Sequence, residues 1–373
     1  MTVTSEADIA EQVKDAAAKG TAIRITGGGT RRNIGNHVDA DASLSTSELS
    51  GVTLYEPGAL TLVAKSGTPL SEVDALLAKE GQMLAFEPTD HRKLSGSNGA
   101  TTLGGIVATN ASGPRRIQAG ACRDALLGVR FVDGEGTIVK NGGRVMKNVT
   151  GYDLVKLMSG AFGTLGVLTE VSFKVLPKPE ATTTLIVEGL DMSDAQAVMS
   201  DALKTPYDVS GAAYDARKRQ TFIRLEGFPQ SVRYRANMLA KELKPSGPVD
   251  MLDGASIWQN ITAFAFVDAV DGDIWQLSTQ PTDGPKLIRT LMEQADVMPL
   301  MLDWSGGLVT LATPPGTDIR GIWRAHSQIS GEACCIRGHA DYFRQSASPL
   351  AALEAGLRKR FDPKGVLNPG VLG

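Results

Sequence analysis

Apolar positions recur at helical spacing from the start of the chain. Ile9, Val13 and Ala16-Ala17 fall at i, i+4 and i+7/i+8, which predicts an amphipathic helix with Gly20 as its C-cap. A short strand over 22–26 runs into Gly27-Gly28-Gly29-Thr30. Strands are expected at 53–55 and 61–65, split by the turn Glu56-Pro57-Gly58. A helix over 69–80 carries Leu70, Val73, Leu76 and Leu77 on one face, with proline at its start. Residues 127–132 and 137–140 flank Asp133-Gly134-Glu135-Gly136 as a hairpin.

A strand over 166–176 stops at Pro177-Lys178-Pro179, because proline cannot continue a central strand. The boundary placed there separates residues 1–178, dense in glycine loops, from 179–340, where strands and helices alternate. In the second part, strands are expected at 182–188, 211–215, 221–226, 261–267 and 308–311, with helices at 193–203 and 285–295. That order suggests an antiparallel sheet with helices on one face. No internal repeat stands out. Residues 341–373 hold a helix over 349–361, stopped by Asp362-Pro363, and end in Leu367-Asn368-Pro369-Gly370. The fold class expected is α+β.

Composition narrows the function. With 38 Lys plus Arg against 41 Asp plus Glu in 373 residues, there is no electrostatic footprint for nucleic acid or an anionic membrane. Three cysteines, Cys122, Cys334 and Cys335, make neither a disulfide framework nor a metal motif, so no metal is expected. The opening residues lack the apolar core of a signal peptide, and no run suits a membrane span. A reducing, cytoplasmic compartment is expected, with any contact to the inner face of the membrane made through partners.

Glycine, 41 residues, is about 11 % of the chain against a usual ~7 %, and the excess is clustered. Thr26-Gly27-Gly28-Gly29-Thr30 reads as a sharp turn at a domain edge or as backbone N–H groups converging on a phosphate. It is neither a P-loop nor G-x-G-x-x-G. Pro88-Thr89-Asp90, the run from Ser97 to Gly105 and Thr109-Asn110-Ala111-Ser112-Gly113 offer donors and close backbone approach rather than apolar burial. Gly160, Gly163 and Gly166 lead at a spacing of three into an apolar strand, a pattern that suits the edge of a flat ligand.

Taken in order, G-G-G-T, P-x-D, T-L-G-G-I, T-N-A-S-G, G-Y-D-L, F-G-T-L-G-V-L-T-E and the terminal L-N-P-G resemble the flavin-binding domain shared by vanillyl-alcohol oxidase and p-cresol methylhydroxylase (PCMH). Within that family the chain is most similar to the FAD-binding subunits of bacterial glycolate oxidases. The resemblance implies a PCMH-type FAD-binding domain of two α+β subdomains and a ferredoxin-like antiparallel cap, with a tail returning to the flavin domain. Carried over by position, Thr26, Gly27, Gly28, Gly29 and Thr30 would hold the pyrophosphate. Pro88, Thr101, Thr102, Gly104, Gly105, Asn110 and Gly113 would line the ribityl and ring region. Gly163, Gly166 and Val167 would lie on the adenine side, with Asn368 from the tail. Some members attach flavin through a His beside the first glycine turn. Here 27–35 holds none, so non-covalent FAD is expected.

The histidine-rich substrate motif of related dehydrogenases, resembling H-x-G-D-G-N-x-H, is missing. The remaining candidates for a carboxylate clamp and base are Arg324, Arg337, His326 and His339. They read equally as structural groups. The cluster Arg217-Lys218-Arg219 reads as a substrate-acid site or a solvated patch, and the four tryptophans as cap core or partner surface. The resemblance implies an FAD subunit of glycolate oxidase, beside a larger FAD subunit and an iron–sulfur subunit, oxidising glycolate to glyoxylate. A stand-alone 2-hydroxy-acid dehydrogenase of the D-lactate type and a non-catalytic assembly subunit stay open.

Overall fold

The N-terminal helix Glu6–Lys19 begins on a capping box. Ser5 Oγ accepts from Asp8 N at 3.1 Å and Asp8 Oδ2 accepts from Ser5 N at 3.0 Å. It ends on Gly20 at φ +68, as the spacing predicts. Its buried face, Ile9, Val13 and Ala16, packs with Ile23, Leu44 and Leu367 in one apolar cluster. The structure is a computed structural model that describes residues 3–144, 151–338, 341 and 349–373. It divides into two compact units. The first takes the chain to Ser112, then Gly120–Lys178 and the C-terminal segment to Gly373; the second takes Gly113–Ala119 and Pro179–Asp341.

The first unit is built on a five-stranded antiparallel sheet. Its strands lie in the order Val52–Glu56, Thr61–Lys65, Val167–Lys174, Leu126–Val132 and Ile138–Gly142. The expected hairpin closes with Phe131 opposite Val139. The helices Leu70–Ala78 and Leu103–Ala108 bury Val73, Leu77, Ile106 and Val107 in the same core as Leu62, Phe131 and Phe173. Each such fully buried side chain contributes roughly 1.5–3 kcal/mol. Beside the sheet, Ile23–Thr26 pairs in parallel with Ala42–Ser45. Ile23 also donates to the Val366 carbonyl at 2.7 Å, which stitches the C-terminal tail along this strand.

The second unit is an eight-stranded sheet with a repeat that the sequence does not display. Ala181–Glu188, Met192–Lys204, Val209–Asp215, Gln220–Gly227, Pro229–Leu243 and Val249–Asp253 form a βαββαβ unit. Asp273–Thr279, Gly284–Gln294, Met298–Asp303, Leu308–Thr313, Ile319–His326 and Gly331–Arg337 form another. In each, the strands lie in the order fourth, first, third, second, the ferredoxin-like arrangement. The second strands meet antiparallel, Tyr214 opposite Leu302 and Asp215 opposite Met301, and join the halves into one sheet. Leu185, Ile223, Leu239, Leu277, Leu291 and Leu311 belong to the single core beneath both.

Two expectations change here. Residues 261–267 are not a strand: helix Ser256–Thr262 and a 3-10 turn Ala265–Val267 cover them, and Ile261, Phe264 and Val267 recur every third residue on a buried face. Helix Pro229–Leu243 was not expected, although Val232, Ala236, Leu239, Ala240 and Leu243 mark its buried stripe. No helix among the described residues is long and apolar enough to cross a membrane.

Candidate functional site

Strand Ile23–Thr26 delivers the chain into Gly27-Gly28-Gly29-Thr30, and this turn lines a pocket within the first unit. The glycines have separate reasons. A Cβ on Gly28 would overlap the Ala100 carbonyl oxygen, and one on Gly99 would overlap the Gly28 carbonyl oxygen. The two loops therefore lie backbone against backbone. Gly29 sits at φ +73, in the left-handed region that glycine occupies without strain. Across the pocket, Thr102 Oγ1 accepts from Gly105 N at 3.3 Å. Gly104 faces Ser66, whose Cβ is 2.8 Å from where a side chain would begin.

Asn368 closes one wall. Its Oδ1 accepts from Ile25 N at 2.7 Å and its Nδ2 donates to the Phe162 carbonyl at 2.7 Å. One side chain thus ties the tail to the strand before the glycine turn and to the loop carrying Gly163 and Gly166. Asn368 stands at φ +44, which asparagine tolerates better than most residues.

Of the residues expected at a cofactor, Thr26, Gly27, Gly28, Gly29, Thr30, Thr102, Gly104, Gly105, Gly163, Gly166 and Asn368 line this pocket. Pro88, Thr101, Asn110, Gly113 and Val167 are not in its lining. The Thr101 carbonyl accepts from Leu70 N at 2.8 Å. Asn110 accepts from Arg123 N at 3.0 Å, Gly113 belongs to the second unit, and Val167 is core.

The lining also holds residues for which the sequence suggested no cofactor contact: three arginines, Arg24, Arg31 and Arg32, together with Asn36, His37 and Phe162. Among the described residues, no carboxylate lines the pocket. Arg24 donates to the Val38 carbonyl, and Arg31 donates to the Thr89 carbonyl at 2.5 Å. Thr89 Oγ1 lies 3.0 Å from His91 Nε2. Burial first, and then the Arg31 charge, hold His91 well below the ordinary imidazole range, so it is neutral. Next to it, burial opposes ionisation of Asp90, but the ion pair with Arg92 at 2.6 Å outweighs it and keeps the carboxyl below its usual range. The signal that could have found the arginines is their place in Thr30-Arg31-Arg32-Asn33, directly after the turn.

The donor set fits a flavin dinucleotide. Glycine amides and arginines, with no carboxylate among them, suit a diphosphate, and Ile25, Ile34, Val38, Phe162, Leu168 and Val371 supply apolar wall for flat rings.

The expected substrate groups lie in the second unit and outside this pocket. Arg324 and His326 are exposed in the last turn of Ile319–His326. Arg337, on the edge strand, donates to the Val270 carbonyl. His339 lies outside the described residues. Arg217 donates to the Phe266 carbonyl at 2.6 Å and Arg219 to the Gly189 and Leu190 carbonyls, so both brace local loops. Trp258, Trp275 and Trp323 are buried core. Within the same unit, Glu226 bridges Arg115 at 2.6 Å and Arg224 at 3.2 Å, all nearly buried. Burial opposes ionisation of Glu226, but Arg224 and Arg115 hold its carboxyl below the usual range. Arg224 stacks over Trp258, and Arg116 over Trp304.

A family model described as an FAD binding domain matches residues 1–142. The chain is 33 % identical over 361 residues to glycolate oxidase subunit GlcE of Escherichia coli K12, covering 96 % of this chain and 95 % of that protein. It is 25 % identical over 300 residues to glycolate oxidase subunit GlcD of Bacillus subtilis 168, covering 80 % of this chain and 59 % of that protein. Its fold is similar to that of a solved structure, alkyldihydroxyacetonephosphate synthase, at a TM-score of 0.69 and 15 % identity, over 99 % of this chain and 76 % of that one.

Proposed function

Because the chain belongs to the PCMH-type FAD-binding oxidoreductase family of glycolate oxidase subunit GlcE, we propose that it is the FAD-carrying subunit of a glycolate oxidase. The observation that carries this reading is the pocket around Gly27–Thr30, with its amides, its arginines and the Asn368 clamp. The two-domain reading, a flavin domain over 1–178 with the tail 341–373 and a cap over 179–340, belongs to the same proposal.

Glycolate becomes glyoxylate by losing two electrons and two protons from its CH–OH group, one hydrogen from carbon and one from oxygen. Bound FAD supplies the two-electron acceptor chemistry. The chain's own contribution is to hold that group: the turn amides and arginines neutralise diphosphate charge, and Asn368 keeps the turn and the Phe162 loop at fixed separation. In this reading the chain would exchange electrons with its partners, a larger FAD subunit and an iron–sulfur subunit on the cytoplasmic side, and any membrane contact would come through them. The exposed Arg324 and His326, and the engagement of Arg337 with Val270, favour chemistry that begins in a partner over a stand-alone dehydrogenase. Glycolate and D-lactate differ by one methyl group, which a pocket separates by only ~1–3 kcal/mol, so both are candidate substrates.

The test is the anaerobic visible spectrum of the isolated chain before and after glycolate, repeated after co-expression with the larger subunits. A flavin spectrum unchanged alone and bleached in the complex is the expected result. Bleaching of the isolated chain would make it the dehydrogenase itself. A colourless protein in both states would remove the cofactor assignment.

A further inference from the structure

The C-terminal helix Pro349–Phe361 stands out from the first unit by being exposed almost throughout. Helix Glu6–Lys19, of similar length, buries Ile9, Ala10, Val13 and Ala16. Among residues 350–361 no side chain is buried, and Leu350, Leu353 and Leu357 are 63 %, 66 % and 39 % exposed. These leucines and Phe361 fall at i, i+3, i+7 and i+11, on one stripe. Of the four, Phe361 packs on the core of the first unit, its ring 6.1 Å from that of Phe131, and its carbonyl accepts from Gly134 N at 2.8 Å. A single exposed leucine needs no explanation, but a row of them does. A helix of 13 residues is marginal in water by itself and holds by burying an apolar face. The side away from the leucines is no more polar: it carries Ala351, Ala352 and Ala355, and Glu354 is the one polar residue in 350–357. Charge collects beyond it, in Arg358, Lys359, Arg360 and Lys364. None of these four pairs with a carboxylate among the described residues. The acid between them, Asp362, is buried and accepts from Leu367 N at 2.7 Å.

We propose that helix Pro349–Phe361 docks this chain onto another subunit of its complex, in an apolar groove lined with carboxylates where Arg358, Lys359, Arg360 and Lys364 arrive. The inference goes beyond the cofactor and rests on the subunit reading above only for the identity of the partners. Two observations choose this occupant. A helix that is apolar on all sides is one that other protein surrounds. At an anionic lipid surface the side away from the acyl chains is polar and rich in Lys and Arg, whereas alanines fill that side here. Charge argues against a second copy. Two such helices in parallel bring their cationic ends together. Antiparallel, with the leucine stripes in register, each cationic end faces the stretch 342–353, which contains no Asp or Glu. An acidic partner surface supplies what a copy lacks, and it steers the encounter as well as holding the helix.

The test titrates the full-length chain against the co-expressed larger FAD and iron–sulfur subunits, held on a biosensor. Leu353→Gln with Leu357→Gln keeps helix propensity and removes the stripe, and is expected to weaken binding about tenfold or more. Lys359→Glu with Arg360→Glu is expected to slow association and to abolish the weakening of wild-type binding by salt. All four positions are exposed, so flavin content and the melting temperature of the isolated chain should match wild type, which a merely structural role would not allow. The charge reversal keeps the test valid if the glutamine pair misfolds. Wild-type affinity in both variants overturns the proposal and leaves the subunit reading standing. A wild-type chain that does not bind these subunits overturns that reading and this inference together. Two further results, with assembly of the complex unimpaired, overturn the choice of occupant. A dimer of the isolated wild type that the glutamine pair dissociates would assign the helix to a second copy. Binding to phosphatidylglycerol vesicles that the glutamine pair abolishes would assign it to a lipid surface.

Discussion

Asn368 donates from Nδ2 to the Phe162 carbonyl at 2.7 Å, across 206 positions of sequence. The contact makes the C-terminal tail a wall of a pocket whose other parts come from the first half of the chain.

Asn368→Ala removes that bond and the one from Ile25, both of them part-buried. Leaving such groups unsatisfied costs ~1–3 kcal/mol, and the left-handed backbone at 368 adds strain for alanine. Asn368→Gly loses the same bonds without the strain, and should unfold at a higher temperature than the alanine variant. Both should retain less flavin on purification. Thermal melts with flavin absorbance check it, and an alanine variant matching wild type in both would refute the clamp.

Gly28→Ala and Gly105→Ala separate packing from ligand approach. A Cβ at 28 meets the Ala100 carbonyl, a backbone atom that cannot move aside, whereas one at 105 meets side chains alone, Thr102 Oγ1 at 3.3 Å and Arg31 Cδ at 4.0 Å. Gly28→Ala is expected to express poorly or lack flavin altogether. Gly105→Ala should fold as wild type by circular dichroism and bind FAD more weakly.

Glu226 carries a pH dependence. Its carboxyl is held below the usual value in the folded state by Arg224 and Arg115, so the unfolded chain takes up its proton first. The stabilisation is complete above the unfolded value near 4.5 and is lost as pH falls through the folded one. Glu226→Gln, with two guanidinium groups still in place, should cost ~3–5 kcal/mol at neutral pH. It should also flatten the acid limb of a stability–pH curve measured by denaturant melts. An acid limb as steep as wild type would mean that other carboxylates govern it.

Flavin should be released by trichloroacetic acid, because the turn holds no histidine between residues 27 and 35. His37 lines the pocket, so His37→Ala is the informative control. Yellow protein in the pellet of wild type but not of that variant would identify a covalent bond at His37.

The elements that the sequence disclosed are those set by local chemistry. The helix after Ser5, the hairpin around Asp133–Gly136 and the glycine turn depend on residues within a few positions of one another. Helix Pro229–Leu243 was legible in its apolar stripe, Val232, Ala236, Leu239 and Leu243, at spacings of three and four. At 261–267, aromatic and β-branched residues favoured a strand, while their spacing of three matched the turn that formed. The Asn368 clamp joins partners 343 and 206 positions apart, and no local pattern announces such a contact. Nor does composition say that Arg32 bends over Gly29 rather than away from it.

The seam between the two βαββαβ halves has a consequence of its own. Equivalent strands meeting antiparallel, Tyr214 against Leu302 and Asp215 against Met301, generate a local twofold axis, the self-complementary geometry by which two identical subunits pair. Held in one polypeptide, the second partner is always at hand, so the pairing does not dissociate on dilution. Each half is then released from having to match its own copy. Asp215 and Met301 can face each other as different residues, and the insertion 254–272 can follow one half without a counterpart in the other.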